Sequence, residues 1–189
     1  HKAETKALVQ GLILSAGSLV ISSGRLSFFV SNDSENVILY LKQKLNELFG
    51  NIEIDVVQIV KNFKTKERFE LSVQEDYNET ILKEIGIISF NREGEMLFSD
   101  VCDKSFILSE KKMQAFLTGV FLGSGSVSVP TENTEKRRYG YHFEIAMSSK
   151  EQVDLIAAED TRHTLGLLNH FEISKPLISY YKEIEKGKS

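Results

Sequence analysis

The sequence predicts an α+β protein made of two similar halves, each with the element order αββαββ. Three observations support this fold class. A helix-like stretch followed by Gly-Ser and a strand-like stretch occurs twice. Amphipathic helical patterns alternate with pairs of short strand patterns. Similar residues also recur at a constant offset of 108 positions near the start of each half. The sequence therefore favours a duplicated unit.

The repeat is clearest in its first helix and in the turn behind it. Residues 9–18 align with residues 117–126 without a gap, so that Gly11 lies over Gly119. The later helix ends also match, since "LNELFGNIEI" resembles "RHTLGLLNHFEI". Two unrelated helix–hairpin units are the alternative, and the coincidence of so many Gly and Ser positions argues against it.

The first half, residues 1–86, is predicted to contain three helices and four strands. Helices are expected over 3–16, 35–49 and 78–85, and strands over 18–22, 25–31, 52–60 and 68–73. The Asn-Asp-Ser cluster at 32–34 is a strong N-cap signal for the second helix. Gly50 and Gly86 are typical of the residue that follows a helix.

Residues 87–108 lack a clear period and are interpreted as a linker to the second half, residues 109–189. That half begins with a helix over about 110–122, capped by Ser109 and Glu110. Strands are expected over 126–129 and 140–147, a helix over 148–168, and strands over 170–174 and 177–184. The element order of the first half thus starts again.

Composition indicates a globular protein with a slightly acidic balance. Hydrophobic residues make up 41% of the chain, the formal net charge is −4 and the pI is about 5.7. DNA-binding domains are usually basic, so the overall charge argues against strong DNA binding by this chain alone, while a local basic patch remains open. The single Cys102 excludes an internal disulfide and a CxxC metal site. Without a long apolar run or targeting segment, we expect a cytoplasmic protein that does not enter membranes.

Small residues lie one helical turn apart in the first helix of each half. These residues are Gly11 and Ser15 in the first copy, and Gly119 and Gly123 in the second. Small residues at i and i+4 allow two helix backbones to approach closely. We therefore expect the two helices to cross at a pseudo-twofold axis, with the two sheets forming a saddle around them.

These stretches resemble the LAGLIDADG motif, which pairs two helices above a DNA-straddling saddle. The match is closer to the WhiA family of bacterial transcription regulators of sporulation and cell division. The resemblance is carried by "KAETKALVQGLILSAGSLVIS", "GRLSFF", "FLTGVFLGSGSVSVP" and "YGYHFEI". It implies an N-terminal LAGLIDADG homing-endonuclease-like domain, which a helix-turn-helix domain follows in the family. No helix-turn-helix is readable after residue 182, so we expect that module to be absent from this chain.

The resemblance also bears on catalysis. LAGLIDADG endonucleases need an acid at the foot of each motif helix, where two carboxylates hold metal ions at the scissile phosphates. The equivalent positions here are Ala16 and Ser124, and the earlier acid of each motif is replaced by Leu14 and Leu122. Neither foot supplies a carboxylate. The resemblance therefore implies no enzyme activity, no catalytic residue, and no metal or cofactor.

Two basic clusters are candidate contacts for double-stranded DNA. They are Lys61, Lys64, Lys66 and Arg68 in the first half, and Lys136, Arg137 and Arg138 in the second. Both lie in predicted hairpin loops or in adjacent strands, which would reach a duplex backbone from a saddle. Each phosphate contact would release counterions. The same charges also protect exposed strand edges from aggregation, and the sequence leaves both interpretations open.

Other candidate sites have weaker support. No HExxH motif or Cys–His grid includes any of the four histidines, His1, His142, His163 and His170. The Gly-Ser run at 123–126 ends a helix, whereas phosphate-binding loops precede one. The alternating trio Asp100, Cys102 and Asp103 has too few ligands for a metal and is interpreted as a turn.

Two functions from different classes remain. The first is a WhiA-like DNA-binding transcription regulator, associated with the nucleoid, that has kept an endonuclease scaffold and lost its chemistry. The second is a protein–protein interaction platform that positions a separate helix-turn-helix reader. The basic loops favour the first, whereas the net charge of −4 and the absent reader favour the second.

Overall fold

A computed structural model describes residues 1–22, 24–59, 67–99, 109–128 and 142–145. All of these residues belong to one compact unit, His1–Ala146. The elements predicted beyond residue 146 lie outside the described residues, and so does the whole of the predicted loop over 130–139.

The described residues form four helices and eight strands. The helices are α1 (Lys2–Ala16), α2 (Glu35–Phe49), α3 (Glu75–Glu84) and α4 (Glu110–Ser124). The strands are β1 (Gly17–Ser22), β2 (Arg25–Asn32), β3 (Ile54–Ile59), β4 (Arg68–Val73), β5 (Ile88–Phe90), β6 (Met96–Phe98), β7 (Gly125–Ser128) and β8 (His142–Ile145). The predicted mixture of helices with antiparallel sheets is confirmed.

The main sheet has four antiparallel strands in the order β1-β2-β4-β3. Ser22 pairs with Arg25, so the β1–β2 hairpin closes through a two-residue turn. The second turn residue, Gly24, has a φ of 76°. Only glycine adopts this conformation without strain, which explains the glycine in the turn.

One face of this sheet packs on the helices. Leu26, Phe28 and Val30 alternate along β2 and are buried, as expected for a strand with one face on the core. Residues Ile38, Leu41, Leu45 and Leu48 of α2 are also buried, at the spacing of one helix face. Apolar burial of these side chains is the main stabilising contribution in this layer.

Helix α3 begins three residues earlier than predicted, and Asn78 lies inside it. The Asn78 side chain is 1% exposed. Its Oδ1 accepts a hydrogen bond from the Phe28 backbone N–H at 3.0 Å, and its Nδ2 donates to the Glu75 carbonyl at 3.2 Å. Asn78 therefore holds α3 against β2. Because this partner is fifty residues away in the sequence, local capping chemistry could not indicate it.

The predicted linker over 87–108 begins with a short β-hairpin. Strands β5 and β6 pair antiparallel, with Ile88 opposite Phe98. Ile87 and Ile88 are buried in the core of the first half. Strands of three residues are too short to show a period, which is why this hairpin was not predicted. Residues 100–108 lie outside the described residues.

The start of the second half repeats the start of the first. Strand β7 follows α4 directly, as β1 follows α1. Gly125 pairs with Ile145 in the β7–β8 hairpin, and Gly17 pairs with Val30 in the β1–β2 hairpin. Both helices thus end in an extended glycine that opens an antiparallel hairpin.

Candidate nucleic-acid interface and helix crossing

Helices α1 and α4 cross with their main chains in direct contact. A Cβ added at Gly11 would overlap the carbonyl oxygen of Phe116. A Cβ added at Gly119 would overlap the carbonyl oxygen of Leu8 and lie 2.9 Å from the Leu12 backbone nitrogen. The structure therefore places these two glycines where any side chain would separate the helices.

A second contact lies one turn further along. A Cβ added at Gly123 would overlap the Ser15 Oγ and lie 3.1 Å from the Leu12 carbonyl oxygen. The Ser15 hydroxyl donates a hydrogen bond to the Gly11 carbonyl of its own helix at 2.8 Å. Its polar group is thus satisfied within α1 and leaves its small side chain to pack against α4.

The feet of the two helices carry Ala16 and Ser124. Both side chains are half-buried. The Ser124 hydroxyl donates to the Val120 carbonyl at 3.3 Å, which is a bond within its own helix. In the described part of the chain, no group of three or more His, Cys, Asp and Glu side chains is arranged to hold a metal ion.

A cleft of about 420 Å³ opens at the foot of α4. It is bounded by the end of β2, the start of α2, the start of β4 and the last turn of α4, through Ser31, Asn32, Asp33, Ser34, Val37, Arg68 and residues 121–125. Asp33 and Arg68 bring one negative and one positive charge to it, and both side chains are exposed. The charges of these two side chains cancel, so together they give the cleft no net charge.

Asn32 links three elements beside this cleft. Its Nδ2 donates hydrogen bonds to the carbonyl oxygens of Leu122 at 3.1 Å and Gly123 at 3.3 Å. Its Oδ1 accepts a hydrogen bond from the Ser34 backbone N–H at 2.8 Å. Sequence reasoning identified Asn32 only as part of an N-cap cluster, and Ser34 is the residue at the N-cap of α2, without a side-chain capping bond.

Of the predicted DNA contacts, only Arg68 lies in the described residues. It begins β4, opposite Ile59 of β3, and its side chain is exposed. Lys61, Lys64, Lys66, Lys136, Arg137 and Arg138 lie outside the described residues. The DNA-binding assignment of these side chains stays a prediction.

The face of the main sheet away from the core is rich in short hydroxyl side chains. Strand alternation and the strand registers place on it Ser18, Val20, Ser22, Arg25, Ser27, Phe29, Ser31, Asp55, Val57, Ile59, Arg68, Glu70 and Ser72. Its charged members are two arginines and two acids. Arg25 contacts Glu75 of α3 at 2.8 Å, and the Ser31 hydroxyl donates to Glu70 at 3.1 Å. Over the described strands, this open face is balanced in charge.

Polar ties attach α1 to the end of α3. Lys6 Nζ lies 2.6 Å from Glu84 Oε2. The hydrogen bond and the charge of Lys6 lower the pKa of the Glu84 carboxyl below its usual value. Gln10 is fully buried, and its Nε2 donates to the Gly86 carbonyl at 3.3 Å. Sequence reasoning missed both ties because their partners lie more than seventy residues away.

Paired helices with backbone contact, each leading into an antiparallel hairpin, define the LAGLIDADG-like class of fold. The family model described as the WhiA N-terminal LAGLIDADG-like domain matches residues 2–88, and that described as the WhiA LAGLIDADG-like domain matches residues 113–186. The chain belongs to the WhiA family.

Known relatives and solved structures are similar to this chain over most of its length. The "Probable cell division protein WhiA" of Staphylococcus aureus is 25% identical over 181 residues, which cover 96% of this chain and 54% of the relative. This chain thus spans about half the length of the curated relatives it matches.

The solved N-terminal LAGLIDADG domain of DUF199/WhiA has a TM-score of 0.55 at 20% identity, over 94% of this chain and 70% of that one. A structure of the homing endonuclease I-DmoI has a TM-score of 0.39 at 17% identity, over 66% and 63%. Within the described ranges, no helix is both long enough and apolar enough to cross a membrane.

Proposed function

We propose that this chain is the DNA-binding, catalytically silent domain of a WhiA-type transcription regulator, which acts in cell division or sporulation in the cytoplasm at the nucleoid. The observation that carries this proposal is the pair of residues at the feet of the motif helices α1 and α4. Ala16 and Ser124 occupy the positions at which the LAGLIDADG endonucleases that this chain resembles carry metal-binding acids. The crossing above them still brings the two helix backbones together at Gly11 and Gly119.

The chemistry at the two feet supports the loss of cleavage. A methyl group offers no ligand to a metal ion, and Mg²⁺ requires oxygen ligands in near-octahedral order. The Ser124 hydroxyl is a neutral oxygen that donates to the Val120 carbonyl. It cannot replace a carboxylate, either in binding a divalent ion or in stabilising the charge that develops during phosphate cleavage.

The basic clusters supply the proposed grip on double-stranded DNA. Lys61, Lys64 and Lys66 lie in the sequence between the end of β3 and the start of β4, and Arg68 is the first residue of β4. Arg137 and Arg138 precede β8 in the second half. Two clusters that contact phosphates at separate points would bind without reading sequence, and their affinity would fall steeply with salt.

The test is fluorescence anisotropy of the chain with a labelled duplex, across a salt series, with and without Mg²⁺. We expect binding that weakens steeply with salt and a duplex that stays intact. Lys64→Ala with Lys66→Ala, or Arg137→Ala with Arg138→Ala, should each lower the magnitude of the salt slope by about 2 if both residues contact phosphates. Lys44→Ala with Lys83→Ala is the matched control, because it removes two positive charges outside the predicted clusters.

Two outcomes would overturn parts of this proposal. Cleavage of the duplex in Mg²⁺ would show that other groups replace the missing acids. An unchanged salt slope in both paired variants would remove the two loops from the DNA interface.

The second candidate is a protein–protein interaction platform that positions a separate helix-turn-helix reader. The balanced charge of the open face favours it, since Arg25 and Arg68 are offset by Asp55 and Glu70. A sheet face that grips DNA usually carries an excess of positive charge. No binding of the duplex even at low salt would favour this function.

A further inference from the structure

We propose that Asn32 is a positioning residue that fixes the foot of the second motif helix, α4, against the first half of the molecule. We call the hydrogen bonds from its amide to the Leu122 and Gly123 carbonyls the Asn32 bridge. The bridge concerns the geometry between the halves, and only its expected effect on DNA affinity rests on the proposed function.

The last turn of α4 is the place where such a donor is most effective. The final four carbonyls of a helix have no partner within the helix. The Gly125 N–H bonds to the Phe121 carbonyl, while Leu122 and Gly123 come next along the chain. The Asn32 Nδ2 donates to both of these carbonyls, at the negative end of the helix dipole.

The other half of the same amide is anchored in the first half. Oδ1 accepts the Ser34 N–H at the start of α2, and Asn32 itself is paired with Phe69 of β4 at the end of β2. Asn32 therefore stands on a strand held by the main sheet, with its side chain oriented by α2. A donor that is fixed at both its backbone and its side-chain oxygen can impose a position on α4.

The bridge complements the crossing, which fixes a different property. At the crossing, contact between the main chains at Gly11 and Gly119 limits how closely the helices can approach each other. Packing of this kind resists compression but has little directional preference. The two hydrogen bonds from Asn32 are directional, and they act at the last residues before β7 begins at Gly125. The bridge therefore sets the direction in which the second sheet leaves the axis.

The equivalent sequence position in the second half does not carry an amide. Gly17 pairs with Val30, and Asn32 follows two residues later. Gly125 pairs with Ile145, and the residue two positions later is Met147. Methionine has no hydrogen-bond donor in its side chain. The first half therefore holds the foot of the second motif helix through a side-chain amide, and the equivalent sequence position in the second half cannot do the same.

Asn32→Asp separates the two functions of the amide. The carboxylate still accepts the Ser34 N–H, but it has no N–H to donate and it repels the Leu122 and Gly123 carbonyls. We expect backbone hydrogen exchange to become about tenfold faster at residues 125–128, with protection of α2 unchanged. Ser31→Ala is the matched control, because it breaks the bond to Glu70 on the open face and leaves the bridge intact.

The outcomes of this exchange measurement are distinct. Exchange at 125–128 that matches wild type would overturn the proposal, and so would an equal acceleration throughout α1 and α2. Should Asn32→Asp fail to fold, Asn32→Ala gives the second test. It removes both arms of the amide, so residues 125–128 should again exchange about tenfold faster, now together with the first turn of α2.

DNA affinity is a second readout, and a change in stability alone would not alter it in a fully folded variant. With both variants fully folded, the neutral change Asn32→Ala should bind the labelled duplex more weakly than Ser31→Ala, because the foot of α4 and the start of β7 are no longer fixed against the first half. Equal affinity of the folded variants would separate the bridge from DNA binding and overturn that part of the inference. If the wild-type chain binds no duplex, the proposed function fails, while the exchange result still decides whether the bridge exists.

Discussion

The two motif helices share one crossing but are held to the rest of the molecule in different ways. Helix α1 is tied to the end of α3 by the ion pair between Lys6 and Glu84. It is tied there a second time by the hydrogen bond from Gln10 to the Gly86 carbonyl. Both ties belong to the first half, so α1 is anchored within its own copy of the repeat.

Helix α4 has different residues at the equivalent positions. Gln114 and Thr118 lie 108 positions after Lys6 and Gln10, and both make hydrogen bonds within α4. The directed bonds described at its foot come instead from Asn32, which belongs to the other half. The two copies of the motif helix thus keep their backbone contact with each other, while their polar attachments to the rest of the molecule differ.

Breaking the shared crossing should have the largest effect. We expect Gly119→Ala to lower the free energy of unfolding by about 2–4 kcal/mol, because its methyl group would overlap the Leu8 carbonyl of the facing helix. Helix propensity alone predicts the opposite sign, since Ala stabilises a helix by about 1 kcal/mol relative to Gly. Urea unfolding, followed by circular dichroism, measures the difference.

Gln114→Ala on the exposed side of the same helix is the control for this variant. It should change the free energy of unfolding by no more than about 0.5 kcal/mol. A Gly119→Ala variant that is more stable than wild type would show that the two backbones are not in contact.

Substitution of the buried Gln10 amide of α1 should change the free energy of unfolding by a smaller amount. We expect Gln10→Leu to change the free energy of unfolding by less than about 1 kcal/mol. It removes the 3.3 Å bond to Gly86, but it also removes Oε1, a buried acceptor to which the structure gives no partner. Thermal unfolding of Gln10→Leu checks this, with Thr118→Val as the comparison, because Thr118 is the equivalent position in α4 and also loses its polar group. A loss larger than about 2 kcal/mol would mean that Gln10 is an essential tie for α1.

The Lys6–Glu84 pair should have the smallest effect, and its sign depends on pH. Because Lys6 lowers the pKa of the folded Glu84 carboxyl below its usual 4.5, the pair stabilises the protein above that value. This contribution is lost as pH falls through the lowered pKa. Both side chains are partly or largely exposed, so salt should weaken the effect.

Melting temperatures of wild type and Glu84→Gln, measured between pH 6 and pH 3, test this prediction. The wild type should be slightly more stable at pH 6, and the two curves should converge on acidification. Glu79→Gln on the same helix is the control. A gap between the curves that widens toward pH 3 would contradict the assigned sign.

Local patterns in the sequence predicted the elements better than they predicted the attachments between them. The amphipathic periodicity of α2 indicated its buried face, and a local pattern also predicted β2 as a strand, because both patterns depend on neighbouring residues. The small residues at Gly11 and Gly119 indicated a close approach of two helices, since no other property of a helix requires them. These features depend on residues that are close together in the sequence, so a local pattern can indicate them.

The attachments are different because each depends on a distant partner. Asn32 belonged to a predicted N-cap cluster and Asn78 to the predicted start of a helix, yet Asn32 reaches the foot of α4 and Asn78 holds α3 on β2. Their partners lie ninety and fifty residues away. A polar side chain at the start of a helix gives no local indication of which backbone group it will meet once the chain is folded.

The crossing also limits how the sequence can change by compensation. At Gly123 the clash of an added methyl group is with the hydroxyl of Ser15, so a second substitution at Ser15 could relieve it. At Gly11 and Gly119 the clash is with main-chain carbonyls, which every amino acid carries. A change at the facing residue cannot remove a carbonyl, so no suppressor mutation at that position is available. A side chain at either glycine can therefore be accommodated only if one helix as a whole moves away from the other.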